Sequence, residues 1–301
     1  MLAACGATLE KAFERTLILI YTGPLFDSHL HLYDPTRAEG IPWPQPGDAI
    51  YGPRLPADYW GQAEACGVIG AMVVEASPRR EDNDWILRTL DQDPRLVGYI
   101  GNLDPLAGTF ADDLDRLARD PRFRGIRYGN LWGRDLLGDQ QRAGFIDALA
   151  QVAERGLVLD SANPDARLIE GLLTLSERLP HLRIVVDHLP NAAPLAFTAE
   201  LQELASRPQV MAKLAEIPQV GDGGLIRDAG FYRDVLGRLF ELFGEDRCFF
   251  GSDWPNSDHL ADFTTTLGLV KACMATHPAH TQEKFFLHNA PRVYGLPGGA
   301  R

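Results

Sequence analysis

Phe26-Asp27-Ser28-His29-Leu30-His31 sets two imidazoles two positions apart at the end of an apolar run. Side chains alternate faces along a strand, so His29 and His31 share one face while Ser28 and Leu30 share the other. Two neutral imidazoles aimed into one cavity make half a metal site. Taken alone, the same pair also suits hydrogen-bonded polar residues in a core. The flanking sequence separates the two readings.

Upstream, residues 1–24 read as an N-terminal extension. Leu2-Ala3-Ala4-Cys5 matches the end of a bacterial lipoprotein signal, but Met1 directly precedes it, with no basic or long apolar segment between. The match is therefore taken as chance, unless the true start lies further upstream. Downstream, Asp34 to Pro56 is dense in proline and glycine, including Ile41-Pro42-Trp43-Pro44-Gln45-Pro46-Gly47, and can form neither helix nor central strand. A long loop directly after the two histidines is expected to wall or cover a site. Trp43 and Tyr51 are its aromatics, suited either to face a substrate or to pack on the surface.

From Pro56 the chain alternates amphipathic helix, short turn and apolar strand. Strands are expected at 70–75, 96–102, 125–128, 157–160, 182–187, 210–214 and 247–251. Helices are expected between them, among them one started by Asn163-Pro164 as cap and first-turn proline. With the strand from Leu25, that makes eight strands with helical crossovers, the pattern of a (β/α)8 TIM barrel over residues 25–296, followed by a tail, 297–301. An open doubly wound sheet is the rival, but no Gly-x-Gly-x-x-Gly follows the first strand.

In such a barrel the functional side chains stand at the carboxyl ends of the strands. Those ends are polar: His29 and His31 on the first, Glu75 on the second, Asn102 and Asp104 near the third, Arg127 and Tyr128 on the fourth. Asp160 ends the fifth, Asp187 and His188 the sixth, Lys213 the seventh, and Ser252-Asp253-Trp254 the eighth. Each alone could be a cap or a core ion pair. Gathered at one mouth they point to a site.

Phe26-Asp-Ser-His-Leu-His31, Val185-Val-Asp-His-Leu189, Phe250-Gly-Ser-Asp-Trp-Pro255 and Asn289-Ala-Pro-Arg-Val-Tyr-Gly-Leu296 resemble the amidohydrolase superfamily. The closer resemblance is to its amidohydrolase-related branch of sugar-lactone and 2-pyrone-4,6-dicarboxylate lactonases, with muconate-semialdehyde-type decarboxylases as cousins. The resemblance implies that His29, His31 and Asp253 are metal ligands, that His188 touches metal or substrate, and that Asp253, with His188, handles the proton. Their strand-end positions, and not the resemblance, make Arg127, Tyr128, Glu75, Lys213 and Trp254 the expected substrate contacts, Arg127 either gripping a carboxylate or vicinal hydroxyls or pairing with Asp160 or Glu75. Imidazole and carboxylate without thiolate suit zinc or manganese. The bridging residue of two-metal members has no counterpart at Arg127-Tyr128, and the fifth strand carries Asp160-Ser161 in place of a histidine, so one divalent ion is expected. Some lactonases of this branch work without a metal, which leaves a metal-independent mechanism open.

A formal charge of −12 and a pI near 5.1 speak against nucleic-acid or anionic-membrane partners and favour a small-molecule substrate; a homo-oligomer stays open. Four scattered cysteines form no Cys-x-x-Cys pair, so a reducing, cytoplasmic setting is expected. The leading expectation is a hydrolase that opens a sugar-acid or carboxylated lactone with activated water. The alternative is a non-oxidative decarboxylase of an aromatic or muconate-like acid at the same site. A non-catalytic binding barrel is the third reading, disfavoured because motifs expendable in such a protein are intact.

Overall fold

A computed structural model describes residues 20–190 and 198–296. In it eight parallel strands lie side by side in the order in which they occur in the chain. They are Leu25–Leu30, Val68–Val74, Leu96–Gly101, Phe123–Arg127, Val158–Ser161, Arg183–Val186, Val210–Leu214 and Cys248–Phe250. The first and eighth meet at the carboxyl end. Leu30 and Trp254 form a parallel bridge, Asp253 N donates to His29 O at 2.8 Å, and His31 N donates to Trp254 O at 2.7 Å. The expected (β/α)8 barrel is present, and its seam runs through the candidate ligands.

The interior of the barrel is filled by Phe26, Met72, Val74, Ile100, Val158, Val185, Met211 and Phe249. Ala290, Val293, Tyr294 and Leu296, from the end of the chain, join this cluster and plug the amino end. Asn289 fixes that plug, donating from Nδ2 to Glu245 O at 2.7 Å and to Cys248 O at 2.8 Å. Its contacts thus dock the last helix against the barrel. Of the expected extension, residues 1–19 lie outside the described residues, as does the tail 297–301; Tyr21 stacks on Phe286 with ring centroids 5.0 Å apart.

Two helix-to-strand turns are built alike from Asp-Pro-Arg. Asp93 Oδ1 accepts from Arg95 N and Nε, both at 2.9 Å, while Oδ2 accepts from Nη2 at 2.6 Å. Asp120 repeats the pattern with Arg122 at 2.9, 3.0 and 2.7 Å. The proline stops the helix and the Asp–Arg fork fixes the entry angle of the next strand.

One expected cap is corrected. Helix Ala166–Arg178 is capped by Asp165, whose side chain accepts from Leu168 N, and not by Asn163. Asn163 takes φ 59° and turns toward the barrel mouth instead. The short helix Leu136–Asp139 and the two-strand ribbon Val220–Gly221/Gly224–Leu225 carry no periodic pattern long enough to announce them.

Candidate active site

The mouth opens into a cavity of about 220 Å³ lined by His31, Arg127, His188 and Asp253, with Trp43, Trp132, Asn163, Glu216 and Asn256 around them. Among the described residues five non-glycine residues have positive φ: Trp132, Asn163, His188, Glu216 and Asp253. All five line this cavity. A left-handed backbone costs an L-residue about 1–2 kcal/mol, so the strain is concentrated where the chain leaves strands and swings side chains over the mouth.

His31 Nδ1 lies 3.0 Å from Val74 O. A carbonyl only accepts, so Nδ1 carries the proton and Nε2 presents a lone pair. That Nε2 lies 3.3 Å from His29 Nε2 and 3.3 Å from Asp253 Oδ1; His29 Nε2 is 3.6 Å from the same oxygen. Asn256 Nδ2 at 2.8 Å and Ser257 Oγ at 3.3 Å donate to Asp253 Oδ2, whereas the buried Oδ1 receives no hydrogen bond. Metal–ligand bonds of about 2.0–2.1 Å in a tetrahedron imply ligand separations of roughly 3.3–3.5 Å. The triangle of His29, His31 and Asp253 has that size, and lone pairs converging on an unsatisfied carboxylate oxygen suit a cation. The chemistry of the residues therefore fits one divalent ion.

Burial pushes the His29 imidazole well below its usual range, and Lys213 adds to the shift. Burial likewise takes His188 down to about 4, against an opposing pull from Asp253. Both rings are therefore neutral near pH 7, the form that ligates metal and accepts protons. Burial would raise Asp253, but His188, His31 and Asn256 outweigh it and hold the carboxyl below its ordinary value. Asp253 is thus an anion at the mouth.

Arg127 reaches the cavity and is also paired: its Nε donates to Glu75 Oε1 at 2.7 Å and its Nη2 to Glu75 O at 2.8 Å. Glu75 stands behind that wall, accepting as well from Trp132 Nε1 at 3.2 Å and Ser77 N at 2.9 Å. Three expected substrate contacts are placed elsewhere. Lys213 is fully buried inside the barrel, 2.5 Å from Asp160 Oδ2 and 3.1 Å from Asp187 Oδ1. The Tyr128 hydroxyl donates to Asp139 Oδ2 at 2.7 Å, and its ring is covered by Arg134. Trp254 points outward against Tyr59, ring centroids 5.5 Å apart. All three stand at or near strand ends, but depth in the barrel and the opposite side-chain phase keep them off the cavity wall.

Of the loop aromatics, Trp43 lines the cavity, its ring 5.7 Å from that of His31, while Tyr51 is exposed outside it. Trp132, Asn163, Glu216 and Asn256 are cavity residues that the strand-end rule passed over. Glu216 was within its reach, lying two positions past the end of the seventh strand at Leu214. His188 Nδ1 is 3.5 Å from Glu216 Oε2. His259 is exposed and turned to Asn256 O. His277, His280 and His288 pack on Phe240, Glu245 and Glu283, away from the mouth, and His181 is exposed.

The amidohydrolase family profile matches residues 26–296. An L-fucono-1,5-lactonase of Burkholderia ambifaria is 30% identical over 263 residues, covering 82% of this chain and 87% of that protein. A crystal structure of an amidohydrolase from Burkholderia multivorans with bound zinc is 25% identical with a TM-score of 0.80, covering 91% of this chain and all of that one. A 5-carboxyvanillate decarboxylase from Novosphingobium aromaticivorans, complexed with manganese, shares the fold at 15% identity and a TM-score of 0.66, covering 91% of this chain and 97% of that one. Among the described residues no helix is long and apolar enough to cross a membrane. Since the family match begins in the His-x-His strand and ends in the plug that seals the barrel, one relationship accounts for fold and mouth together: this chain belongs to the amidohydrolase family and is a hydrolase of its barrel type.

Proposed function

We propose that the protein is a lactonase that opens a neutral sugar-acid lactone, with His29, His31 and Asp253 holding one divalent ion, zinc or manganese. The observation that carries the site reading is the unsatisfied, buried Asp253 Oδ1 set 3.3 and 3.6 Å from two imidazole nitrogens. The ion, when bound, supplies Lewis acidity toward a carbonyl oxygen or water. Asp253 takes a proton from the attacking water and returns it to the ring oxygen as the acyl C–O bond breaks. His188, neutral and with its ring centroid 4.7 Å from that of His29, is the second proton carrier. The indoles of Trp43 and Trp132 offer faces for the C–H side of a sugar ring, and Asn163, Asn256 and Glu216 offer partners for its hydroxyls.

The name of the 30% identical relative supports a lactone substrate. The charge of the cavity supports a neutral one. Arg127, the cation on the wall, has its Nε and Nη2 committed to Glu75, while Asp253 and Glu216 are acidic. That arrangement speaks against the carboxylated lactones and against a decarboxylase, both of which present a carboxylate. A cytoplasmic setting is consistent with Cys66, Cys248 and Cys273 all being free thiols.

Metal analysis of the purified protein, followed by a lactone panel at neutral pH with a proton indicator, tests this. Proton release from L-fucono-1,5-lactone and other aldonolactones is expected, with little from pyrone dicarboxylates. Carbon dioxide from an aromatic acid would move the assignment to the decarboxylase, and turnover of neither class would refute the lactonase reading.

A further inference from the structure

Beneath the histidines the apolar barrel interior is crossed by a line of charge. At its lower end the Tyr294 hydroxyl, from the plug that seals the amino end, donates to Asp160 with 3.0 Å to each oxygen. Lys213 Nζ bridges upward, 2.5 Å from Asp160 Oδ2 and 3.1 Å from Asp187 Oδ1, and lies 5.3 Å from the centre of the Tyr294 ring. At the upper end Asp187 Oδ2 faces His29 Nδ1 at 3.7 Å. None of the five side chains belongs to a residue more than 2% exposed.

We propose that Asp187, Lys213, Asp160 and Tyr294 form a positioning chain that fixes the His29 ring and so sets how tightly the mouth holds its ion. The proposal rests on the metal assignment in the preceding subsection. Burying a lysine between two carboxyl groups, one of which, Asp187, burial pushes up to about 7 against the pull of Lys213, is a poor way to stabilise a core, because apolar side chains of similar volume are commonly as stable or more so. Orientation is what such a cluster can provide. His29 Nδ1 makes no hydrogen bond within the ordinary range, and the acceptor it faces is Asp187. At 3.7 Å the contact is electrostatic, and it favours the tautomer with the proton on Nδ1, which leaves Nε2 as a lone pair aimed at His31 and Asp253. A carboxylate behind a ligating imidazole fixes its tautomer and angle in this way. Lys213 supplies the charge that lets two carboxylates share one interior, and Tyr294 occupies Asp160 from below. Because Tyr294 sits on the plug, docking of the chain's end is mechanically tied to a ligand at the far end of the barrel.

The test measures zinc dissociation constants by competition with a chromophoric chelator at fixed pH, together with the melting temperature of the zinc-free protein. Asp187→Asn is expected to weaken zinc binding by about 10–100-fold, and Tyr294→Phe to weaken it by a smaller factor. Ile100→Ala, which removes volume from the same interior on the third strand but takes away none of the chain's polar groups, is expected to lower the melting temperature and leave zinc affinity unchanged. Wild-type zinc affinity in both Asp187→Asn and Tyr294→Phe would overturn the proposal. So would equal weakening by Ile100→Ala, since that is generic loosening. Should Asp187→Asn fail to fold, Tyr294→Phe decides. A wild-type protein that takes up neither zinc nor manganese would overturn the metal assignment and this inference together, whereas the other outcomes bear on the inference alone.

Discussion

Arg127 and Glu75 bind each other at two points, Nε to Oε1 at 2.7 Å and Nη2 to the Glu75 backbone carbonyl at 2.8 Å. Both residues are almost fully buried. The cavity wall therefore carries a guanidinium whose charge is cancelled from behind. Removing one partner of a buried pair strands the other, so Arg127→Ala should cost about 3–5 kcal/mol of stability in urea unfolding. The double variant Arg127→Ala, Glu75→Ala should lose much less than the sum of the two single variants. Additive losses would show that the pair is not coupled.

Asp253→Asn keeps the shape of the carboxylate and its contact with Ser257 but cannot accept a proton. If Asp253 is the base, kcat for lactone opening should fall on the order of 10²-fold or more. Substrate affinity, measured by inhibition with a non-hydrolysable ring analogue, should change little. A variant with near-normal kcat would pass the role to His188. The double variant His29→Ala, His31→Ala should lose stoichiometric zinc, and retention of the ion would place it elsewhere.

Gly251 leads the eighth strand into the seam against His29. A Cβ built there would stand 2.6 Å from His29 Cβ and 3.2 Å from Ala215 Cβ. Gly251→Ala must displace His29, and overpacking of this kind costs about 1–3 kcal/mol. Zinc affinity should fall in the same variant, which a chelator titration would show. Unchanged affinity would mean that the seam yields without moving the ligand.

The two Asp-Pro-Arg turns predict an acid limb of stability. Arg95 holds the Asp93 carboxyl below its ordinary value, and Arg122 does the same for Asp120. A depressed folded pKa contributes stability above the unfolded value, about 4, and that stability is lost as pH falls through the folded value. The pairs are partly exposed, so each should be worth about 1 kcal/mol or less. Urea midpoints of Asp93→Asn, Asp120→Asn should be lower than wild type at pH 7 and converge with it in acid. A constant difference down the acid limb would assign the effect to packing instead.

The alternation of apolar runs with amphipathic helices determined the eight strands within a few residues of their ends. The spacing of His29 and His31, with Asp187-His188 and Asp253 at later strand ends, determined which rim would carry the site. Those are local properties: a period of two or of 3.6 residues is written in neighbouring side chains. Closure of the barrel decided the rest. Lys213 and Trp254 stand at strand ends like His188 and Asp253, yet one sinks into the interior beside Asp160 and the other turns out against Tyr59. Glu216, Trp132 and Asn163 enter the cavity through left-handed turns that no periodicity encodes. Tyr294 meets Asp160 across 134 positions of chain. Depth, side-chain direction after a strained turn and charge pairing across the barrel are set by which strands become neighbours, and only the folded chain brings those neighbours together.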